Sequence, residues 1–500
     1  MPLKIYNTLT KSKQEFIPIT PGKVSMYVCG VTVYDFCHLG HGRAYVAFDI
    51  IHRYLKHKGY DVKYVRNITD IDDKIIARAN EMDMPNASLM EKCLALTKKF
   101  TDEFHKDAES LNLLPANNEP KATEYIPQMI ALINKLIEKG FAYAVGGEVY
   151  YDISKFNDYG KLSGKNTEEL QAGARVEADK RKKNPLDFSL WKEAKPNEPF
   201  WESPWGKGRP GWHIECSAMS LNLLGEEFDI HGGGQDLIFP HHENEIAQTC
   251  GCTGKQPVRY WIHNGFVTTN REKMSKSLGN FFTLRDIFKQ YDPMTVRFFL
   301  LTQHYKSPVD FSDQLLGDAG NALKRIEECL TNSLKYISGE KFAADVGIRE
   351  KVLSEFYTAM DDDFNTAKAL AIIFDVVKEI NNCITNGSAK KEIYSKTAVL
   401  VEMLDLLGIR CRTHERVEVK SDIEVEMSEK DLDILLLSDE LNNEIKQKLL
   451  AVRNHYKKTK QWVLADKIRD NLAKRGLIIQ DGKGVSVIVK KICPPPIDKS

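Results

Sequence analysis

The chain contains 500 residues, of which 42% are apolar and 28% charged, and its 70 basic residues balance its 70 acidic ones. This length is too great for one hydrophobic core and indicates about three domains of roughly 150 residues each. The balanced charge excludes a general attraction to polyanions, so any nucleic-acid binding must use local basic patches. No apolar run approaches the roughly 18 residues of a membrane span, and the first residues lack the apolar core of a signal peptide. Ten scattered cysteines fit a reducing compartment, so we expect a soluble cytoplasmic enzyme.

The N-terminal part of the chain predicts alternating strands and helices. An apolar run at residues 24–28 precedes a turn rich in glycine and histidine, and a helical pattern begins near Arg43. Residues 61–68 alternate as a strand does, and Thr69 and Asp70 are suitable N-caps for a following helix. This order is the opening of a doubly wound parallel sheet. We therefore predict an α/β, Rossmann-like fold whose ligands bind where the strands end.

The rest of the chain divides into regions of different character. Residues 120–206 contain short strands and a polar, basic stretch, and we interpret them as an insertion into the nucleotide-binding fold. Helical periodicity from residue 284 almost to 407 predicts an α-helical bundle. Residues 412–430 are interpreted as a linker, and residues 446–475 carry ten Lys and Arg against two Asp in a helical pattern. The predicted domains are residues 1–310, 311–410 and a small C-terminal one at 425–500.

Two histidines stand between the first strand and the first helix, in the motif His38-Leu39-Gly40-His41. Imidazoles three residues apart at a helix start can face one ligand, where the helix dipole adds partial positive charge. Such donors suit the negative charge that develops on a phosphoryl group during transfer. A pair of ordinary surface histidines has the same sequence, so the motif alone is weak evidence.

A second basic motif, Lys273-Met274-Ser275-Lys276-Ser277, lies far downstream. Its two ammonium groups can bind a polyphosphate as point charges, although a solvated basic turn has the same composition. The two motifs in this order resemble the paired signature of class I aminoacyl-tRNA synthetases. Neither motif carries this resemblance alone.

A glycine run, Gly232-Gly233-Gly234, follows a predicted strand that ends near His231. Three glycines allow a flat ring or a phosphate to approach the backbone closely. A flexible turn is an equally good interpretation of these residues, so the run by itself does not identify a ligand.

Candidate metal ligands are scattered along the chain. His241 and Glu245 are four residues apart, so both side chains would share one helix face. Thiolates could come from Cys29 and Cys216, or from the competing Cys250-Gly251-Cys252. Because no local Cys-x-x-Cys pair is present, spacing alone favours buried structural thiols beside a surface His/Glu pair.

Over longer segments the chain resembles the cysteinyl-tRNA synthetase family. The matching segments are residues 27–30, 67–74, 211–217 and 239–245, and the likeness runs nearly continuously from the N-terminus through the Lys-Met-Ser-Lys-Ser motif. Residues 361–366 extend it into the helical region, and only the chain after about residue 410 matches weakly. Leu39 stands where the family usually has isoleucine, a volume-conserving difference.

The resemblance implies one Zn²⁺ per chain, whose ligands correspond to four residues: Cys29, Cys216, His241 and Glu245. It thereby favours these residues over His242 and Cys250. Apolar shape selection between cysteine and serine is worth only about 1–3 kcal/mol, whereas borderline-soft zinc prefers a thiolate. The zinc is therefore expected to select the substrate thiolate, with Thr69 and Trp212 near the substrate side chain.

The resemblance also implies how ATP binds, as a complex with Mg²⁺. His38 and His41 would stabilise the α and β phosphates while Lys273 and Lys276 close over the pyrophosphate, Lys276 being the more direct ATP contact. Glycines 232–234 would admit the adenosine. The expected product is cysteinyl-adenylate, formed from L-cysteine and passed to the 3′ end of tRNA(Cys).

Each predicted domain has a role in this family. Residues 1–310 correspond to the ATP- and cysteine-activating catalytic domain, residues 311–410 to a tRNA-contacting bundle, and residues 425–500 to a small basic anticodon-recognition domain. The expected partners are ATP, L-cysteine and tRNA(Cys), with no membrane, and the expected state is a monomer. For the basic segment, a solvated helix face is the alternative interpretation.

Two other functions are weighed against this one. The first is a ligase that activates cysteine identically but passes it to an amino-sugar acceptor in thiol biosynthesis; it lacks the tRNA-reading C-terminal part, so the length of this chain opposes it. The second is a zinc-dependent RNA-binding or regulatory protein with degenerate catalysis, which the intact histidine and lysine pairs oppose.

Overall fold

The structure is a computed structural model that describes residues 2–166, 181–269, 272–273, 282–337, 342–420, 423–437, 441–475, 477–482 and 485–491. The chain forms two compact units. The first comprises Met1–Leu316 and Tyr357–Ala369, and the second comprises Gly317–Phe356 and Leu370–Ser500. Among the described residues, none of the helices combines the length and the apolar character that a bilayer crossing requires.

Strands and helices are numbered in chain order. The strands are β1 Lys4–Asn7, β2 Ser12–Glu15, β3 Lys23–Thr32, β4 Asp61–Thr69, β5 Ala142–Val145, β6 Glu148–Tyr151, β7 Phe188–Glu193, β8 Gly208–Pro210, β9 Phe228–Gly234, β10 Val258–Asn264, β11 Val267–Thr269, β12 Glu272–Lys273, β13 Val309–Asp310, β14 Arg412–Lys420, β15 Leu477–Gly482 and β16 Val485–Lys491. The helices are α1 Leu39–His57, α2 Asp73–Asn80, α3 Leu89–Ser110, α4 Ile126–Glu138, α5 Trp212–Leu224, α6 Glu243–Thr253, α7 Leu284–Phe288, α8 Pro293–Leu301, α9 Asp313–Ile337, α10 Val346–Asp361, α11 Thr366–Thr385, α12 Lys390–Leu406, α13 Glu429–Leu436, α14 Asn443–Lys458 and α15 Trp462–Lys474.

A four-stranded parallel sheet in the order β10-β9-β3-β4 organises the first unit. Helix α1 connects β3 to β4 and buries Phe48, Ile51 and Leu55 completely, at the helical spacing that the sequence predicts. The predicted α/β, Rossmann-like architecture is confirmed. Because the carboxyl ends of parallel strands meet at one edge, the chain after β3, β4 and β9 converges there.

Two helix starts differ from the prediction. Helix α1 begins at Leu39 rather than near Arg43, because the side chain of His38 accepts a hydrogen bond from the backbone N–H of His41 and caps the helix. The cap of α2 is Asp72, which accepts from the N–H of Lys74, whereas the predicted caps lie in the strand or bind elsewhere. Local sequence offers several acidic and hydroxyl caps in a row, and only packing selects one.

A second, antiparallel sheet in the order β5-β6-β7-β8 lies within and just after the predicted insertion. Its first two strands form the hairpin that Gly146 and Gly147 predict, and Gly146 has a positive φ of 62° there. A small sheet, β12-β11-β13, joins the strand that contains Lys273 to the segment after α8.

The second unit contains helices and a three-stranded antiparallel sheet, β14-β16-β15. Strand β14 occupies residues that the sequence presents as a linker, so that interpretation is wrong at residues 412–420. The basic segment 446–475 lies in two helices, α14 and α15. Ala465, Ile468 and Leu472 are buried as predicted, but Trp462 is 55% exposed.

Candidate metal and nucleotide site

A buried cluster of two thiols, an imidazole and a carboxylate lies at the carboxyl edge of the parallel sheet. Cys29 comes from β3, Cys216 from the second turn of α5, His241 from the turn before α6 and Glu245 from the first turn of α6. Their candidate ligand atoms all lie within 4.8 Å of one another. The structure thus brings two distant cysteines, Cys29 and Cys216, together with the His241/Glu245 pair.

The distances within this cluster suit a shared ligand. The Sγ atoms of Cys29 and Cys216 are 3.8 Å apart. Nε2 of His241 lies 3.0 Å from Oε1 of Glu245, and Sγ of Cys29 lies 3.7 Å from the same oxygen. Sulfur, imidazole nitrogen and carboxylate oxygen are the donor types that zinc takes in proteins.

Gly30 lets β3 bring Cys29 against its neighbours. A Cβ on Gly30 would lie 1.5 Å from the carbonyl oxygen of Asn67, so no larger residue fits without moving β3 away from β4. The N–H of Gly30 donates to Oδ1 of Asn67 at 2.8 Å, and the parallel register shifts between Val28 and Val31. The irregular strand turns the thiol of Cys29 toward Cys216.

Burial and mutual contact perturb the acid–base behaviour of the cluster. The hydrogen bond from Cys29 outweighs burial and, with His241, lowers the pKa of Cys216 to about 6, whereas burial and Cys216 raise the pKa of Cys29. Burial opposes charge on His241, but Glu245 outweighs it and raises the pKa of that imidazole to about 10. The histidines around Glu245 overcome its burial and lower its pKa to about 2. Bound protons and a bound cation would therefore compete for the same atoms.

A second set of donors shares two members with the first. The ligand atoms of this second set also lie within 4.8 Å of one another, and its members are Cys29, His231, His242 and Glu245. Nε2 of His242 lies 3.2 Å from Sγ of Cys29, and Nε2 of His231 lies 3.0 Å from Oε2 of Glu245. Burial lowers the pKa of His242 well below its usual value, so this ring is neutral. Geometry alone therefore leaves two overlapping quartets.

Besides His241, four buried or part-buried histidines surround the cluster: His213, His231, His242 and His263. Nδ1 of His242 lies 2.7 Å from Nε2 of His263, whose Nδ1 lies 2.8 Å from Oγ1 of Thr8, and the Nδ1 atoms of His213 and His241 are 2.9 Å apart. Each histidine belongs to a different element, so no spacing rule connects them. In the sequence, His231 and His263 interrupt apolar strand patterns, and His242 is the alternative ligand next to His241.

The two predicted substrate-side-chain residues lie at the borders of the cluster. The ring of Trp212 is 39% exposed, and its centroid lies 4.3 Å from that of His241. Thr69 is buried at the end of β4 and donates from Oγ1 to Oε2 of Glu215 at 2.9 Å. Cys250 contacts Gln256 instead, and neither Cys250 nor Cys37 belongs to either described quartet.

His38 and His41 lie together at the N-terminus of α1. Their rings stack with centroids 3.7 Å apart, and each Nδ1 accepts a backbone N–H of the other residue. A neutral imidazole whose Nδ1 accepts a hydrogen bond has its proton on Nε2, which leaves Nε2 the donor. The pair therefore presents N–H donors beside a positive helix end.

The segment on the far side of the Lys-Met-Ser-Lys-Ser motif returns to this helix start. The N–H of Leu39 donates to the carbonyl of Phe282 at 3.2 Å, and the N–H of Leu284 donates to that of Cys37 at 2.8 Å. At the start of the motif, Lys273 in β12 pairs through its backbone with Thr268 in β11. Lys276 lies outside the described residues.

The glycine run forms the end of β9, at the same edge as the cluster. A Cβ on Gly232 would lie 2.2 Å from Cε1 of Phe48, and one on Gly233 would lie 2.8 Å from Cδ1 of Leu237. Packing within the protein therefore requires small residues at these two positions. At Gly234 a Cβ would meet the side chain of Asp236, at 2.4 Å.

Comparison with known proteins agrees with this architecture. Residues 15–321 match the family model of the catalytic domain of class I (C) tRNA synthetases, and residues 355–411 match that of the DALR domain. Mycobacterium tuberculosis methionyl-tRNA synthetase in complex with methionyl-adenylate shares the fold, with a TM-score of 0.59 over 77% of this chain and 91% of that chain, at 14% identity. The chain is a class I aminoacyl-tRNA synthetase, a ligase.

Relatives that match almost the whole chain specify the family. Proteins named cysteine–tRNA ligase from Geobacter metallireducens and Carboxydothermus hydrogenoformans are each 49% identical, covering 96% and 97% of this chain and 98% and 99% of the relatives. One from Geotalea uraniireducens is 48% identical over 98% of this chain and 100% of its own. The chain belongs to the cysteine–tRNA ligase family.

Proposed function

We propose that this protein activates L-cysteine with ATP and transfers it from cysteinyl-adenylate to the 3′ end of tRNA(Cys). The observation that carries the proposal is the buried Cys29, Cys216, His241 and Glu245 quartet, which adjoins the strand that leads into the His38/His41 helix start. A thiol-rich site beside a phosphate-binding helix end suits the activation of a sulfur-containing amino acid.

The quartet fits Zn²⁺, with one ion per chain, because it offers two sulfurs, one nitrogen and one carboxylate oxygen within ligand range. When bound, zinc supplies a borderline-soft Lewis acid that prefers a thiolate to a hydroxyl group. We favour this quartet over the one with His231 and His242, because it uses both thiols. His231 would then orient Glu245 from the second side at 3.0 Å.

Thr69 and Trp212 are the proposed contacts of the substrate side chain. The exposed face of Trp212 beside His241 offers an apolar surface for a small side chain. The hydrogen bond from Thr69 to Glu215 fixes the hydroxyl rotor, so that its lone pairs point in a defined direction. Both side chains would exclude larger amino acids by steric overlap.

The ATP site is proposed at the start of α1. Nε2 of His38 and of His41 would donate to the α and β phosphates, which carry Mg²⁺, in the positive field of the helix end. Lys273 and Lys276 are proposed to contact the pyrophosphate, and Gly232, Gly233 and Gly234 the adenosine. The substrate carboxylate then attacks the α-phosphorus, and pyrophosphate leaves.

The tRNA is proposed to contact residues 311–410 and 425–500, with residues 1–310 as the catalytic domain. The basic segment has less free charge than its composition indicates, because several of its cations form ion pairs. These pairs are Arg453 and Lys457 with Asp481, Lys458 with Glu424, Lys467 with Asp433 and Arg469 with Asp466. We therefore expect fewer RNA phosphate contacts than a count of ten cations suggests.

Cysteine-dependent ATP–pyrophosphate exchange, followed by charging of purified tRNA(Cys), tests the proposal. We expect exchange with cysteine and not with serine, its loss on chelation, and its recovery with Zn²⁺. Exchange without charging would favour the amino-sugar ligase instead. Absence of both activities in the metal-loaded protein would refute the function.

A further inference from the structure

A buried guanidinium holds one turn of the first unit by its main-chain carbonyls. Arg43, two residues after His41, is 2% exposed. Its Nη2 donates to the carbonyls of His304 at 2.6 Å and Ser307 at 3.2 Å, and its Nη1 donates to that of Leu300. We call residues 300–307 the carbonyl turn.

The charge of Arg43 is accommodated by the end of a helix rather than by a carboxylate in these contacts. The carbonyl turn begins at the C-terminus of α8, where unpaired carbonyls concentrate partial negative charge. Burial lowers the pKa of Arg43 to about 10, so the side chain stays protonated at neutral pH. The planar fork of a guanidinium presents five donors in fixed directions, whereas a lysine ammonium has three donors on one nitrogen atom and cannot span the same set of carbonyls in the same geometry.

The carbonyl turn also binds the segment that leads to the second signature motif. The N–H of Gly265 donates to Tyr305 at 2.8 Å, and a Cβ on Gly265 would lie 2.4 Å from the carbonyl oxygen of Ser307. Directly after the turn, the N–H groups of Val309 and Phe311 donate to the carbonyls of Phe266 and Thr268, at 2.9 and 2.7 Å. Strand β11 is thus aligned by the turn and its continuation.

The same turn reaches the glycine run and the strand with Lys273. Nε2 of Gln235, the residue after Gly234, donates to the carbonyl of Lys306 at 3.3 Å. Thr268 of β11 pairs with Lys273 of β12. Three segments proposed to contact ATP therefore meet at one turn: the start of α1 through Arg43, the glycine run through Gln235, and Lys273 through β11.

We propose that Arg43 is a positioning residue that sets the spacing between the His38/His41 pair and the strand of Lys273 by holding the carbonyl turn. This inference rests on the proposed function for its catalytic consequence, but not for the structural coupling. Because a displacement of about 1 Å can cost about 100-fold in rate, a change at Arg43 should affect the chemical step more than substrate binding.

The test compares Arg43→Lys with Arg297→Lys in the metal-loaded full-length protein. Arg297 is a matched control: it is fully buried in α8 and donates to the carbonyl of Leu111 at 2.9 Å and to Asp49. We expect Arg43→Lys to lower kcat for pyrophosphate exchange about 30- to 100-fold, while its Kd for cysteine stays within about twofold of the wild-type value. The folded fraction of Arg297→Lys should retain the wild-type kcat. Arg43→Gln, checked for folding by thermal melting, should lower kcat at least as much.

Hydrogen exchange supplies a readout that does not require activity. We expect the amides of residues 309–311 to exchange about tenfold faster in Arg43→Lys than in wild type or Arg297→Lys. Without the Arg43 contacts, local opening of this segment breaks fewer interactions and therefore costs less free energy. Equal exchange in the two variants would overturn the coupling, whatever the wild-type activity. Faster amide exchange with unchanged kcat would overturn the positioning role. A wild type without cysteine-dependent activity would instead refute the proposed function.

Discussion

Replacement of Gly232 by alanine tests how tightly the end of β9 packs on helix α1. The added Cβ would lie 2.2 Å from Cε1 and 2.3 Å from Cζ of Phe48, whereas ordinary carbon–carbon contacts are about 3.5–4.0 Å. Phe48 is completely buried on α1, so its ring cannot swing into solvent. Either the ring or the strand must therefore move by more than an ångström.

The cost follows from this overlap. Insertion of a methyl group into a well-packed core typically costs about 1–3 kcal/mol, and the severity of the contact places Gly232→Ala at about 2–3 kcal/mol or above. In a unit of about 330 residues each kcal/mol shifts the melting temperature by roughly 1.5 °C, so the melting temperature of the first unit should fall by about 3–5 °C. Pyrophosphate exchange should also fall, because Phe48 lies on α1, whose first turn contains His41.

Urea unfolding followed by tryptophan fluorescence measures the effect, with Gly317→Ala as the control. Gly317 lies in α9, and a Cβ there would meet nothing within 4 Å. Alanine should therefore stabilise that helix by about 0.5–1 kcal/mol. Phe48→Leu combined with Gly232→Ala should lose less than the two single changes added together. Equal stability of Gly232→Ala and wild type would refute the packing reason for this glycine.

Three further changes probe the site and its surroundings. Cys216→Ser should abolish stoichiometric zinc by metal analysis and lower cysteine activation more than about 100-fold, while Cys250→Ser retains both. Trp212→Ala should raise the KM for cysteine about tenfold and leave that for ATP unchanged in steady-state exchange. Burial raises the pKa of the Glu119 carboxyl, but His105 and Arg66 outweigh burial and lower that pKa to about 2. The stabilisation from this carboxylate is complete above about pH 4.5 and is lost as the pH falls to about 2. Glu119→Gln should therefore cost about 2–3 kcal/mol in urea unfolding at pH 7 and progressively less below pH 4.

Local periodicity predicted the elements whose signals are local. The apolar spacing of α1 and the Gly146-Gly147 hairpin both appear in the structure. The predictions are wrong where contacts with residues distant in sequence determine the local structure. Asp70 would serve as an N-cap, but its carboxylate accepts from the N–H and the hydroxyl of Thr123 at 2.9 and 2.6 Å. Strand β14 is highly charged and exists through its pairing with β16, far along the chain.

The site likewise combines features that the local sequence predicted and features that depend on distant contacts. The motif at His38 and the motif at Lys273 are each a continuous stretch of sequence, and together they indicated the class of enzyme before any geometry was available. The sequence did not show that His231, His242 and His263 lie together, because they come from three different elements and meet only through the parallel sheet. Likewise, Arg43 reads as one charge on a helix, and nothing in its neighbourhood indicates that it binds the carbonyls of residues 300–307.

The sequence alone determined the fold class, the two signature motifs and, through the family resemblance, the quartet Cys29, Cys216, His241 and Glu245. The fold class and the motifs depend on residue type and short spacing, whereas the quartet was implied by the family resemblance and not by spacing. Tertiary structure decided which thiols and imidazoles share one buried space, why Gly30 and Gly232 have no side chain, and how the carbonyl turn joins the segments around it. Those features arise from contacts between residues that only the packing of separate strands and helices brings within a few ångströms.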